Sequence, residues 1–210
     1  MALRDHSLDA KIIAAARDEF LEKGYMWASL RKIAERAGVT VVAIQTRYKS
    51  KDELFADVLK PLLADIETAF AEIKSDYYAA FGTDILKGLK MSMKYESEMI
   101  FRLIFAHYEQ AMLLFYGSAG SALEHYFDVL VQKKIEESII FFQKAGYGAI
   151  DEKLLGLLIS VQFVTYKRLI IDCTDKESAE KYMSELMIYH FGGWAALFGT
   201  LKKEEINDEV

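Results

Sequence analysis

Residues 29–51 read SLRKIAERAGVTVVAIQTRYKSK, and the fold turns on their centre, Ala37-Gly38-Val39-Thr40. Ahead of it Leu30, Ile33, Ala34 and Ala37 recur at helical spacing, and Ser29 is placed to cap the helix start by accepting a backbone hydrogen bond. Gly38 ends that helix, because glycine enters the left-handed region without a Cβ penalty. Thr40 caps a second short helix, from which Ile44 and Tyr48, with Val39 in the turn, can pack back on the first. Two short helices joined by a glycine turn predict a helix-turn-helix. Any tight helical hairpin shares that outline, so the flanking residues carry the distinction.

Upstream, Ile12, Ile13, Ala16 and Phe20 form the apolar stripe of a bracing helix that begins near Ser7 or Leu8 and stops at Gly24. Tyr25 and Trp27 follow, and both are expected to fill a small three-helix core. Downstream, Ser50-Lys51-Asp52-Glu53 has the form of a capping box that starts a fourth helix at Lys51. Ile12-Ile13 with Ala15-Ala16, Phe20, Lys23-Gly24-Tyr25, Ile33-Ala34, Ala37-Gly38-Val39-Thr40 and Tyr48-Lys49-Ser50-Lys51 before Asp52-Glu53-Leu54 stand at a characteristic spacing. In these residues the chain resembles the TetR family of bacterial transcriptional regulators over positions 1–55.

The resemblance implies an all-α protein with a three-helix DNA-binding domain over residues 1–50. A larger helical ligand-binding and dimerisation domain follows over 51–201, then a charged tail over 202–210. It places the helix beginning at Thr40 in the major groove of a double-stranded DNA operator. Thr40 and Arg31 are then polar base or phosphate contacts, Arg31 being suited to a bidentate guanine bond, while Val41, Val42 and Ala43 can meet thymine methyls. Ser29, Arg47, Tyr48 and Lys51 are assigned to positioning the phosphate backbone. Val42 stands where the family usually has glycine, and Gln45 where it has a phosphate-contacting tyrosine. Gln45 can still donate to phosphate or read adenine, so the operator should differ from those of better matched relatives.

Beyond the head, one proline, twelve glycines and long Ala, Leu, Glu and Lys runs argue for helices throughout. The fourth helix carries an apolar pattern from Leu54 to Ile73, and Pro61 inside it predicts a kink over 57–61 that can serve as a hinge. Small residues and tyrosines from Ser75 to Thr83 read as a linker. The segment from Tyr95 to Tyr116, YESEMIFRLIFAHYEQAMLLFY, reads as helical. On it Phe101, Phe105, Tyr108, Met112 and Phe115 share one stripe, and Tyr95, Met99, Arg102 and Glu109 a neighbouring one. Singly, such residues are core or rim. Together they are the candidate wall of a pocket for a bulky apolar or aromatic effector.

A helix over 119–144 is expected to turn Leu123, Tyr126, Phe127, Leu130, Ile135, Ile139 and Phe142 inward. Asp151 caps the next, LLGLLISVQFVTYKRLII, which is apolar nearly all round, and Thr174-Asp175-Lys176-Glu177 starts a last helix rich in aromatics and methionine. One body cannot easily bury both surfaces, so these two helices are expected to pair with their copies across a homodimer interface.

The net charge of −6 is divided unevenly: residues 1–55 carry ten Lys and Arg against eight Asp and Glu, and the remainder sixteen against twenty-four. A weakly basic head on an acidic body suits local phosphate binding. One cysteine, Cys173, excludes an internal disulfide, and no apolar run is long enough for a signal core or a bilayer span, which points to the cytoplasm and away from membranes. His6, His107, His125 and His190 lack metal spacing and no serine stands in a nucleophile elbow, so no metal, cofactor or catalytic residue is called for. The rival reading is a ligand-binding or protein-interaction protein that keeps the helix-turn-helix as scaffold.

Overall fold

Helix caps written in the sequence set the element boundaries. In the computed structural model, which describes residues 6–79, 85–144, 150–173 and 175–208, Thr40 Oγ1 accepts from the Ala43 N–H at 3.1 Å. Asp151 Oδ1 accepts from the N–H groups of Lys153 and Leu154 at 2.9 and 3.0 Å. The helices in chain order are α1 (His6–Trp27), α2 (Leu30–Ala37), α3 (Val41–Arg47), α4 (Lys51–Ala79) and α5 (Ile85–Ala106). Then come α6 (Tyr108–Tyr116), α7 (Tyr126–Lys144), α8 (Glu152–Asp172) and α9 (Lys176–Asp208), with no strand among the described residues. The all-α expectation, a helix-turn-helix followed by a larger helical body, holds. None of the described helices is long and apolar enough to cross a membrane.

The chain forms two compact units, Met1–Asp65 with His107–Phe127, and Ile66–Ala106 with Asp128–Val210. In the first, Ile12, Ala16, Phe20, Ile33, Ile44, Leu54 and Phe55 are buried to within about one per cent of completely. Phe20 and Tyr25 both meet Phe55 edge-on, at 4.9 and 5.1 Å between ring centroids. Gly24, at φ 70 and ψ 166, breaks the helical path of α1 where the sequence marks its end. Tyr25 enters the core as expected, but Trp27 does not: it is 77% exposed. One ring fills the space against Phe20 and Phe55, and the small core has no room for an indole as well.

Two caps differ from expectation. Ser29 makes no side-chain cap. Its N–H instead donates to Glu19 Oε1 at 3.2 Å, and the same buried Glu19 takes Arg36 at 3.2 Å. At α4, Ser50 Oγ accepts from Glu53 N–H at 3.1 Å, but Glu53 reaches back to the N–H of Lys49, at 2.6 Å, rather than to that of Ser50. Pro61 lies on the exposed side of α4 and does not end it. The expected linker is helical to Ala79, and its residues 80–83 lie outside the described residues.

The single helix expected from Tyr95 to Tyr116 is instead two. His107, at φ −129 and ψ 41, leaves the helical path between α5 and α6, and its carbonyl accepts the Ala111 N–H at 2.8 Å to start α6. Its Nε2 lies 2.7 Å from Asp65 Oδ2, making it a hydrogen-bonded, largely covered histidine. After α6 the chain turns through Gly120, at φ 81, so α7 begins at Tyr126 rather than near 119. In the second unit α9 packs on both α5 and α8. Phe101, Tyr166, Leu169, Cys173, Ala179 and Met183 form one core cluster there. The tail expected to be separate is helical as far as Asp208.

Candidate nucleic-acid interface and body cavity

The α2 and α3 pair is held by its own turn. Gly38 lies at φ 67 and ψ 34, and its N–H and that of Val39 close onto the carbonyls of Glu35 and Ala34 at 3.3 and 3.0 Å. Ile33, Ala34, Ile44 and Tyr48 bury the inner face. The outer face of α3 then presents Thr40, Val42, Gln45 and Thr46, with Val41 and Ala43 half-covered. Val42 is 69% exposed, although burial of such a side chain is worth about 1.5–3 kcal/mol. On α2, Arg31 is exposed and no salt bridge or side-chain hydrogen bond joins it to another described residue. Ser29 is exposed as well, at the end of the same helix.

Three of the residues assigned from sequence to phosphate are committed inside the head. Arg47 Nε meets Asp9 Oδ1 at 2.9 Å and its guanidinium also donates to the Ala43 carbonyl at 3.2 Å, tying α3 to α1. Tyr48 is 4% exposed and its hydroxyl bonds Asp57 at 3.1 Å. Lys51 Nζ donates to the carbonyls of Tyr25, Met26 and Ala28 at 2.7, 3.4 and 3.3 Å, and stands 4.3 Å from the Tyr25 ring centroid. Lysine at a helix C-terminus serves the carbonyls that lack intrahelical donors.

Helix α6 is latched to the same unit. The Tyr25 N–H donates to the Gly117 carbonyl at 2.7 Å, the Ala122 N–H donates to Asp52 Oδ1 at 2.8 Å, and Arg17 meets Glu109 at 3.5 Å. Burial, and after it a hydrogen bond to Asp52, pushes the Tyr25 phenol up to about 12, so it stays neutral.

The eight residues expected to wall a pocket are divided between the units. Met99, Phe101, Arg102 and Phe105 lie on α5 and Tyr108, Glu109, Met112 and Phe115 on α6. Met99 and Phe101 are buried in core clusters, Arg102 is exposed, and Phe115 packs edge-on against Phe127 at 5.6 Å. None of them lines the cavity that opens within the second unit. That space, about 30 Å³ or room for a water or two, has Leu89, Met93, Phe142, Ile159, Phe163 and Trp194 as its apolar wall. Its polar wall is Ser92, Glu96, Lys134, Ser138 and Gln162.

Lys134 Nζ and Glu96 Oε1 form an ion pair of 3.0 Å whose side chains are only 10% and 4% exposed. Gln162 is held at both ends of its side-chain amide: Nε2 donates to the Tyr166 hydroxyl oxygen at 3.1 Å and the carbonyl oxygen accepts from Trp194 Nε1 at 3.2 Å. Burial, and after it the charge of Glu96, pushes the Tyr166 phenol up, against the pull of its Gln162 bond. Sequence reasoning passed over Glu96, Lys134 and Gln162. The signal was there on α7, where Val131, Lys134, Ser138 and Phe141 recur at helical spacing and set a lysine on the buried stripe.

Residues 12–58 match the family described as bacterial regulatory proteins, tetR family. Over 91% of this chain and 98% of the other, the fold is similar to the fatty acid degradation regulator FadR from Bacillus halodurans, at 19% identity and a TM-score of 0.59. NalD, the secondary repressor of the MexAB-OprM multidrug efflux pump in Pseudomonas aeruginosa, superposes with a TM-score of 0.60 at 18% identity, over 88% of this chain and 96% of that one. FadR from Bacillus subtilis, solved with stearoyl-CoA, gives 0.52 at 15% identity over 85% and 97%.

Proposed function

We propose that this chain, a TetR-family transcriptional regulator and not an enzyme, binds a palindromic operator as a homodimer and represses transcription until a small effector releases it. The observation that carries the DNA reading is Val42, an apolar side chain 69% exposed on the outer face of α3 between exposed Thr40 and Gln45. Left in water it gains nothing; against a thymine methyl it gains contact and discriminates the base. Arg31, Thr40, Val42 and Gln45 are the reading residues, with Val41 and Ala43 beside them and Ser29 at the backbone. Arg47, Tyr48 and Lys51 act from behind, holding the helices that present them.

Dimerisation is supported by the faces of α8 and α9. Leu154, Leu157, Val161, Val164 and Ile171 stay exposed along one side of α8 while Leu155, Ile159, Phe163 and Leu169 are buried on the other. On α9 Tyr182, Ile188 and Tyr189 are exposed too. A second copy covers such a stripe by four-helix packing, and its two heads then meet successive major grooves about 34–36 Å apart. A dimer seated on a promoter excludes polymerase, which makes repression the direct outcome.

The effector is an apolar or aromatic molecule received by the second unit. Met99, Phe101, Arg102 and Phe105 belong to that unit and remain candidates for contact. The latch of α6 on α1 and α4 is the route by which a shift in α6 reaches the head. A ligand moves that equilibrium only by its differential affinity for the two states. Selection from a random duplex library tests the DNA reading. Enrichment of a palindrome whose affinity falls steeply with salt supports it, and binding without sequence preference overturns it in favour of an interaction protein that keeps the head as scaffold.

A further inference from the structure

We infer that the cavity beside Glu96 is a site for an amphipathic organic cation, whose ammonium takes the place of the Lys134 ammonium. The inference deepens the reading of the chain as an effector-responsive regulator and rests on it. Of the two paired charges, only one can leave. Glu96 is short and 4% exposed, whereas Lys134 carries its charge on a flexible four-carbon stem beside exposed Gln132 and Lys133 on α7. Lysine can keep its stem buried and carry its head to water. Glu96 is therefore the resident anion of the cavity, and the cation beside it is replaceable.

The opposite wall favours the same ligand. Phe142, Phe163 and Trp194 line the same cavity as Glu96, and aromatic rings attract cations in desolvated sites. The indole N–H of Trp194 is spent on the Gln162 carbonyl oxygen, so that side chain offers an anion no donor. An anion paired with Lys134 would also lie against the Glu96 carboxylate. A neutral ligand leaves the ion pair as it is and has only the water-sized space. An amine displaces the Lys134 head, takes its place beside Glu96, and seats its apolar part among Phe142, Phe163 and Trp194.

The test uses three probes of one shape and different charge: phenethylammonium, hydrocinnamate and phenethyl alcohol. The chain has two tryptophans, and Trp27→Phe leaves Trp194 as the fluorescent reporter in the cavity wall. The expected result is saturation of the Trp194 change by phenethylammonium at a concentration about tenfold or more below that of either other probe. In the same background, Lys134→Met leaves Glu96 without its ammonium, and its lowered melting temperature should be restored by phenethylammonium alone. The double variant Glu96→Gln, Lys134→Met removes both charges, is expected to fold, and should lose the preference for the cation. Equal binding of the three probes, preference for hydrocinnamate, or a double variant that still prefers the amine overturns the inference. Operator binding separates the two layers: release by phenethylammonium links the cavity to DNA, while selective binding with the operator retained keeps the cation site and overturns the effector reading.

Discussion

Arg47→Met decides whether that residue touches DNA or braces the helix that does. The guanidinium and the Asp9 carboxylate meet at 2.9 Å with side chains 19% and 12% exposed. Breaking a fully buried pair costs about 3–5 kcal/mol, and an exposed pair is worth about 0–1 kcal/mol. At this intermediate burial a loss of about 2 kcal/mol is expected, or a melting temperature lower by about 4–8 °C for a chain of this length. Asp9→Asn should cost a similar amount, and the double variant less than the sum of the two, with a coupling of about 1–2 kcal/mol. Operator titrations well below the melting range should keep the slope of log affinity against log salt. Were Arg47 a phosphate ligand, that slope would flatten by about 0.9 for each head. A flattened slope with a melting temperature within about 1 °C of the parent refutes the bracing role.

Arg31→Ala should weaken specific operator binding by about 1–3 kcal/mol, measured by anisotropy, while stability stays within about 0.5 kcal/mol. Thr40→Ala loses the cap on Ala43 N–H and should lower both operator affinity and stability, the latter by about 1 kcal/mol, whereas Thr40→Ser keeps the cap; urea unfolding of the pair measures the difference. Leu157→Asp with Val161→Asp places charge on the exposed stripe of α8 and should give a monomer in sedimentation velocity with helicity unchanged. Burial holds the pKa of His190 below its ordinary 6.5. The folded chain therefore binds fewer protons than the unfolded one, and stability is full above pH 6.5 and falls as pH drops below it. His190→Gln should shrink the fall in melting temperature between about pH 7.5 and about pH 5.5, because that residue no longer takes up a proton on unfolding.

The head was legible because its signals are local. Gly38 and Thr40 write a left-handed stop and a cap four residues or fewer from the groups they satisfy, and the structure keeps both. His107 was missed for the opposite reason. Nothing in its immediate neighbours breaks the period of the 95–116 run, and its oxygen partner, Asp65, lies forty-two positions away. Trp27 shows the limit of composition: an aromatic beside a small core is read as core, but only volume decides which ring enters. The cavity as a whole has no local signature in the sequence. Glu96, Lys134 and Gln162 come from α5, α7 and α8, and each is acceptable in the interior only because of partners on other helices.

The same distinction between exposed and committed charge governs how the head can hold DNA. Arg17 pairs with Asp18 and Glu109, Lys23 with Glu22, and Lys32 with Glu35, all at largely exposed positions. Such pairs contribute little and can exchange a carboxylate for a phosphate, but the displaced acid stays nearby and opposes the DNA. Arg47 and Lys51 cannot be exchanged in this way without loosening α3 or the end of α1. Lys11, Arg31 and Lys49, exposed and in no salt bridge with another described residue, are left as the readiest cations. Among the described residues these cations are a minority of the head's basic side chains, so phosphate contacts alone supply only part of the affinity. On the proposed reading, tight operator binding then comes from base contacts, and Val42 is the apolar member of the set with Arg31, Thr40 and Gln45. Replacing it with glycine, the residue usual at that position in the family, should cost specific affinity while leaving the salt slope unchanged; a variant that binds its selected operator as tightly as the parent would show that the affinity resides elsewhere.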